Sequence, residues 1–146
     1  MSVCDLAKDF PAYRNKLVTV RGVYYYGLRQ SDCPQKCDTG ALPSFLNLEG
    51  GADAEWSTLN NVERKVEADA KTGKRFEIWV TITGRLETTV HSSPLGPCDR
   101  KSWGTPGFGH LGAFPSRIVV ESVKDIAVKE NPQSLYDYGH MYHGPA

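Results

Sequence analysis

No run of uncharged apolar residues in this chain exceeds a handful, far short of the ~20 that a membrane-spanning helix needs. Charge of one sign is also missing. Lys+Arg and Asp+Glu each number 17, for a net charge of zero. That removes the overall positive field on which binding to phosphate backbones depends. A nucleophile elbow, a Walker loop and an HExxH helix are absent, and with them the motif-level grounds for an esterase, an NTPase or a zinc protease. The sequence therefore gives no catalytic residue, no metal ligand set and no cofactor as a primary expectation. Internal repeats and low-complexity segments are missing as well.

The start of the chain lacks a basic segment followed by an apolar one: Met1-Ser2-Val3 runs straight into Cys4-Asp5-Leu6. Read literally this is a cytoplasmic start, but a chain beginning after a cleaved signal peptide, just before Ser2, looks the same. The cysteines number four, an even count, and favour an oxidising compartment. The expectation is a periplasmic or secreted protein.

What is present suits one globular domain of 146 residues, with 40% hydrophobic and 23% charged residues. Cys4 to Tyr13 reads as a short helical turn stopped by Pro11. Lys16 to Gly27 alternates as a long strand, with Val18, Val20, Gly22 and Tyr24 on one face and Thr19, Arg21, Val23 and Tyr25 on the other. Gly22 marks a bend or a bulge. Leu28 to Pro43 reads as a polar loop, and Ser44 to Glu49 as a short strand. From Asp53 to Lys71 the period changes: Trp56, Leu59, Val62, Val66 and Ala70 form a helical stripe, with Gly73 suited to its end. Phe76, Ile78, Val80 and Ile82 then form the apolar face of a second long strand, with Glu77, Trp79, Thr81 and Thr83 opposite. Thr88 to Pro115 is a loop of 28 residues with five glycines and four prolines. Arg117 to Val128 is the last strand. Asn131 to Ala146 reads as a polar tail carrying Tyr136, Tyr138 and Tyr142.

Three stretches carry a resemblance: Tyr13 to Gly22, Phe76 to Glu87, and Arg117 to Ile126. The first is similar to a "Y-x-G-K-x-V-x-V-x-G" strand, with Asn15 at the usual glycine; asparagine tolerates the left-handed conformation. Together they cover roughly a quarter of the chain and resemble the OB-fold, the small Greek-key barrel, especially exported bacterial OB-like domains. The resemblance implies a mainly β, five-stranded OB-like barrel over residues 1–130. It has one helix between the third and fourth strands, a short N-terminal helical turn, and a polar tail over 131–146. It implies a fold rather than a chemistry.

The candidate ligand surface is the strand face bearing Arg21, Tyr25 and Trp79, with Arg29, Arg75 and Arg85 nearby and Tyr24 directed into the core. Cysteine-bearing loops edge it. Cys33 and Cys37 lie in the loop after the first strand and Cys98 in the long loop before the last. A bond from Cys98 to Cys33 or Cys37 would staple the two loops, leaving Cys4 for the remaining cysteine, at a gain of about 2–4 kcal/mol. Reduced thiols, or zinc held by Cys33, Cys37, Cys98 and a histidine, are the alternatives. His110, between glycines and flanked by Phe108 and Phe114, either contacts a ligand or holds its loop shut through a carbonyl. His140 and His143 sit in the tail, where a solvated role is expected. These features point to a non-catalytic binding or interaction module with an unknown ligand or protein partner. A single-stranded nucleic-acid-binding domain is the alternative, and a metal-dependent enzyme using His110 the third reading; without net positive charge, nucleic acid is the weaker partner.

Overall fold

Alternation along Leu17–Tyr24 buries Val18, Val20 and Gly22 and leaves Leu17 and Thr19 in solvent, which makes this segment strand β1. The computed structural model describes residues 1–29, 46–50, 54–91, 107–108 and 114–141. Within them four further strands follow: β2 (Leu28–Arg29), β3 (Leu46–Glu49), β4 (Phe76–Thr88) and β5 (Ser116–Glu130). Helix α1 (Val3–Ala7) precedes β1, and helix α2 (Ala54–Ala70) lies between β3 and β4 in the chain. Single 3₁₀ turns cover Phe10–Tyr13 and Tyr138–His140.

The protein is mainly β, and its five strands hydrogen-bond in a closed ring in the order β1-β2-β3-β5-β4. All neighbours are antiparallel except β3 and β5, which run parallel from Leu46↔Ser116 to Glu49↔Val119. Ile78, Val80, Ile82 and Leu86 of β4 are fully buried, as are Val20 of β1 and Ile118 of β5. Two register shifts interrupt the β4–β5 ladder, between Trp79 and Thr81 and between Thr83 and Gly84. They explain why β5 buries Ile118 and Val120 but then Val123, a change of parity that an unbroken strand forbids. At Gly84 the strands approach so closely that a Cβ would stand 2.2 Å from the Val119 carbonyl oxygen.

Gly22 serves packing rather than a bulge: a Cβ there would lie 2.7 Å from both the Arg29 carbonyl oxygen and Val3 Cγ2. The absence of a side chain lets α1 seat Val3 and Leu6 against the ring. Ser2 caps α1, its hydroxyl accepting from Asp5 N–H at 3.0 Å. Pro11 does not simply end a helix; it opens the 3₁₀ turn that buries Phe10. Asn15 adopts φ 62°, the left-handed conformation expected of it. Helix α2 buries Leu59, Val66 and Ala70 and stops at Gly73, whose φ is 97° and whose N–H donates to the Ala70 carbonyl at 3.0 Å.

Two features depart from the sequence reading. Leu28–Arg29, expected in a polar loop, is strand β2; it is too short for any period to show, yet buried Leu28 pairs with both Tyr24 and Leu46. The stretch after β5, expected to be a polar tail, is part of the core through residue 138: Tyr136 and Tyr138 are 4% and 1% exposed. The β1–β4 pairing runs as far as Val23↔Trp79. Just beyond it the Tyr138 hydroxyl donates to the Tyr24 carbonyl at 2.7 Å and accepts from the Ile78 N–H at 3.2 Å. One phenol thus serves two main-chain groups beyond the paired residues. Arg75 holds the approach to it, donating through Nε and Nη2 to the Ser134 carbonyl at 3.2 and 2.8 Å.

Candidate ligand cleft and the neighbouring sheet face

The outer face of β1 and β4 brings Arg21 and Trp79 together. Arg21 Nη1 donates to Thr81 Oγ1 and to the Asp125 carbonyl, both at 3.0 Å. Asp125 takes φ 53° where the β4–β5 register shifts, and its carbonyl accepts from Arg21. The Arg21 guanidinium stands 5.9 Å from the Trp79 ring centroid, and Lys129 Nζ stands 4.9 Å from it. Trp79 Nε1 donates to Glu77 Oε1 at 3.3 Å. Two cations therefore already attend the ring that a base would stack on.

Tyr25, one residue past the end of β1, lies against residues 136–138. Its ring meets those of Tyr136 and Tyr138 at 5.1 and 5.2 Å, and its hydroxyl donates to the Asp137 carbonyl at 3.3 Å. Burial pushes the Tyr136 hydroxyl up to about 12, against the pull of Arg29. Arg21 and Trp79 thus share an open patch, while Tyr25 is taken up by the aromatic cluster under the C-terminal segment. The signal for that segment was present in the sequence, in the alternation of Tyr136 and Tyr138, but polar neighbours mask it.

Cys33, Cys37, Cys98, His110 and His143 lie outside the described residues. Cys4 is disulfide-bonded, and no cysteine among the described residues is free. Phe108 and Phe114 pair through reciprocal main-chain hydrogen bonds of 2.8 and 3.0 Å. Gly107-Phe108-Gly109-His110-Leu111-Gly112 has the G-x-G-x-x-G spacing of dinucleotide-binding loops. Gly109 to Gly112 lie outside the described residues, and among the described residues the next element of the chain is strand β5. His140 is exposed, its Nδ1 2.8 Å from Asp137 Oδ2. Among the described residues no group of three or more His, Cys, Asp or Glu is placed to hold a metal ion.

The concave feature at the other side of the hairpin is missing from the sequence reading. Tyr24, Tyr26, Trp56 and Phe114 line a cleft of about 300 Å³, completed by Leu48, Asn47 and the backbone of Gly27. That size is at the lower end of small-molecule sites. Four separate parts of the chain build it: the β1–β2 hairpin, β3, the first turn of α2, and the approach to β5. Gly27, at φ 116°, is required because a Cβ would stand 2.4 Å from the Leu46 carbonyl oxygen. Tyr26 takes φ 51°, an uncommon conformation for an aromatic residue. The Tyr24 and Trp56 rings meet edge to face, 6.3 Å apart at 66°.

The polar lining is small and specific. Neither the Tyr24 hydroxyl nor the Asn47 side-chain amide has a hydrogen-bond partner among the described residues. Burial, and then the negative charge of Glu63, hold the Tyr24 hydroxyl protonated well above its ordinary range. It is a donor at any physiological pH. Arg29 closes one flank, its guanidinium 5.5 Å from the Phe114 centroid and its Nε donating to the Tyr25 carbonyl at 2.8 Å.

No family model matches the chain, and comparisons with curated proteins and with solved structures find no match.

Proposed function

We propose that this protein is a non-catalytic binding module on an OB-like barrel, working in the periplasm or outside the cell, and that it takes its ligand in the cleft lined by Tyr24, Tyr26 and Trp56. The strand order, the parallel β3–β5 pair and the helix between β3 and β4 support the OB-like reading. The disulfide at Cys4 supports an oxidising compartment. The observation that carries the function is the cleft itself: aromatic walls, a hydroxyl and an amide without hydrogen-bond partners among the described residues, and a strained Tyr26 at the rim. Polar side chains sheltered among rings without partners mark a place where a ligand supplies them.

The Arg21–Trp79 patch supports a second reading, single-stranded nucleic acid, because Arg21 and Lys129 both stand close to the Trp79 ring. An NMR titration of the isotope-labelled protein with a small-molecule panel and a short oligonucleotide separates the two. The cleft reading expects shifts at Tyr24, Tyr26, Asn47 and Trp56. Steeply salt-dependent shifts confined to Arg21, Trp79 and Lys129 would replace it with the second reading.

A further inference from the structure

Strand β5 outruns its partner at the seam. β3 pairs with it as far as Val119, whereas β4 pairs with it to Glu130. Beyond Val119, among the described residues, β5 is bonded along one side alone. Arg21 gives its N–H to the Met1 carbonyl, so the odd-numbered residues of β1 turn away from β4 and the even-numbered ones turn toward it. Carried across β4 by its pairing, that alternation directs the main chain of Glu77 and Trp79 to Lys129 and Ala127. The N–H and C=O groups of Ile126 and Val128 then point off the open edge, and no described residue partners them. The Val128 side chain is 46% exposed beside them.

An open edge invites pairing with another chain, and charge normally guards it. Here the charges match one another. The edge reads Lys124-Asp125-Ile126-Ala127-Val128-Lys129-Glu130. Laid antiparallel on itself about Ala127, it sets Lys124 opposite Glu130, Asp125 opposite Lys129 and Ile126 opposite Val128 of a second copy. Centring the pair on Ile126 or Val128 instead wastes Asp125 or Lys129 on Ala127. Centring it on Asp125 or Lys129 opposes that charge to itself. The backbone agrees with the Ala127 register. Ile126 and Val128 exchange their outward groups, and the small Ala127 stands on the two-fold axis, where opposed Cα atoms come within about 4.5 Å. Lys124, Asp125, Lys129 and Glu130 make no ion pair among the described residues of one chain.

We infer that β5 pairs with β5 of a second copy, antiparallel about Ala127, so that the two rings share one continuous sheet. The same patch serves both copies, so the contact closes on itself and yields dimers rather than fibres. One strand pair is smaller than a standard interface, which makes the dimer weak and concentration-dependent. The pairing is independent of the cleft.

Sedimentation over a range of concentrations up to millimolar, with an isotope-filtered NOE experiment on mixed labelled and unlabelled protein, tests it. A monomer–dimer equilibrium is expected, with an intermolecular contact between the two Ala127 Hα atoms. Hydrogen exchange at Ile126 and Val128 is expected to slow as concentration rises. Lys124 and Glu130 are exposed, so reversing either charge leaves the fold in place. Glu130→Lys sets lysine against Lys124 twice in the dimer, and Lys124→Glu sets glutamate against Glu130 twice. Each variant alone is expected to self-associate about tenfold more weakly or worse. Mixed in equal amounts, the two are expected to associate as the parent does, because every facing pair is again opposite in sign. A monomer at every concentration, a dimer without the Ala127 contact, variants that self-associate like the parent, or a mixture that fails to recover would each overturn the pairing.

Discussion

Replacing Tyr138 by phenylalanine removes one oxygen and leaves the ring. That oxygen donates to the Tyr24 carbonyl and accepts from the Ile78 N–H, at 2.7 and 3.2 Å, where the tyrosine is 1% exposed. The variant therefore strands a main-chain donor and a main-chain acceptor away from water. Each such group costs on the order of 1–3 kcal/mol, so Tyr138→Phe is expected to destabilise the protein by about 2–4 kcal/mol. Urea unfolding followed by circular dichroism and tryptophan fluorescence reads this directly. With a slope of about 2 kcal/mol per molar, the middle of the usual range for urea, the midpoint is expected to fall by about 1–2 M at an unchanged slope. Hydrogen exchange at the Ile78 amide is expected to accelerate by at least the same free energy. There is one escape route: the β1–β4 ladder could close by one more rung, Ile78 N–H bonding directly to the Tyr24 carbonyl. A loss below about 0.5 kcal/mol with the Ile78 amide still protected would show that the phenol is dispensable and refute the reasoning.

Gly84→Ala is expected to cost about 2–3 kcal/mol or more in thermal or urea unfolding, because its Cβ would meet the Val119 carbonyl oxygen at 2.2 Å and Ile118 Cγ2 at 2.6 Å. The hydrogen bonds from Arg117, the stronger cause, and from Arg85 hold the Glu87 carboxyl below its ordinary 4.5. A carboxyl lowered in the folded state stabilises above its unfolded value and stops doing so as pH falls through the folded one. The stability gap between the protein and Arg117→Met, measured by urea unfolding, is therefore expected to narrow as pH drops below about 4. Alkylation of the unreduced, denatured protein is expected to leave Cys4 unmodified, and peptide mapping to join Cys98 to Cys33 or Cys37. A fully alkylated Cys4 would contradict the disulfide.

Periodicity made the long elements legible. The face of β1 as far as Gly22, the apolar face of β4, the stripe of α2, its stop at Gly73 and the left-handed Asn15 all follow from residue type and spacing, whereas Val23, read as outward, is fully buried. What stayed hidden depends on partners distant in the chain. Two-residue β2 is a strand because Tyr24 and Leu46 flank it. Tyr138 is core because its hydroxyl answers Tyr24 and Ile78. Of the candidate surface, Arg21 and Trp79 do meet, but Tyr25 is claimed by a segment whose polar composition suggested solvent. The cleft was harder still: Tyr26, Asn47, Trp56 and Phe114 converge from four segments, and no local pattern links them.

The parallel pairing of β3 with β5 is the seam at which the ring closes, and it joins residues that stand far apart in the chain. β1, β4 and β5 are bound to one another by long antiparallel ladders, whereas the seam is four residue pairs long. Opening it would leave two bare strand edges, each able to recruit another copy. Charge guards that edge: Arg117, within β5 at the seam, reaches Glu87 at 3.0 Å and Glu49 at the end of β3 at 3.9 Å. In a transiently opened molecule Arg117 on β5 and Glu49 on β3 would stand as charges on the two unpaired edges. The ion pairs that contribute modestly to the closed ring thus act as gatekeepers against edge-to-edge aggregation when it opens.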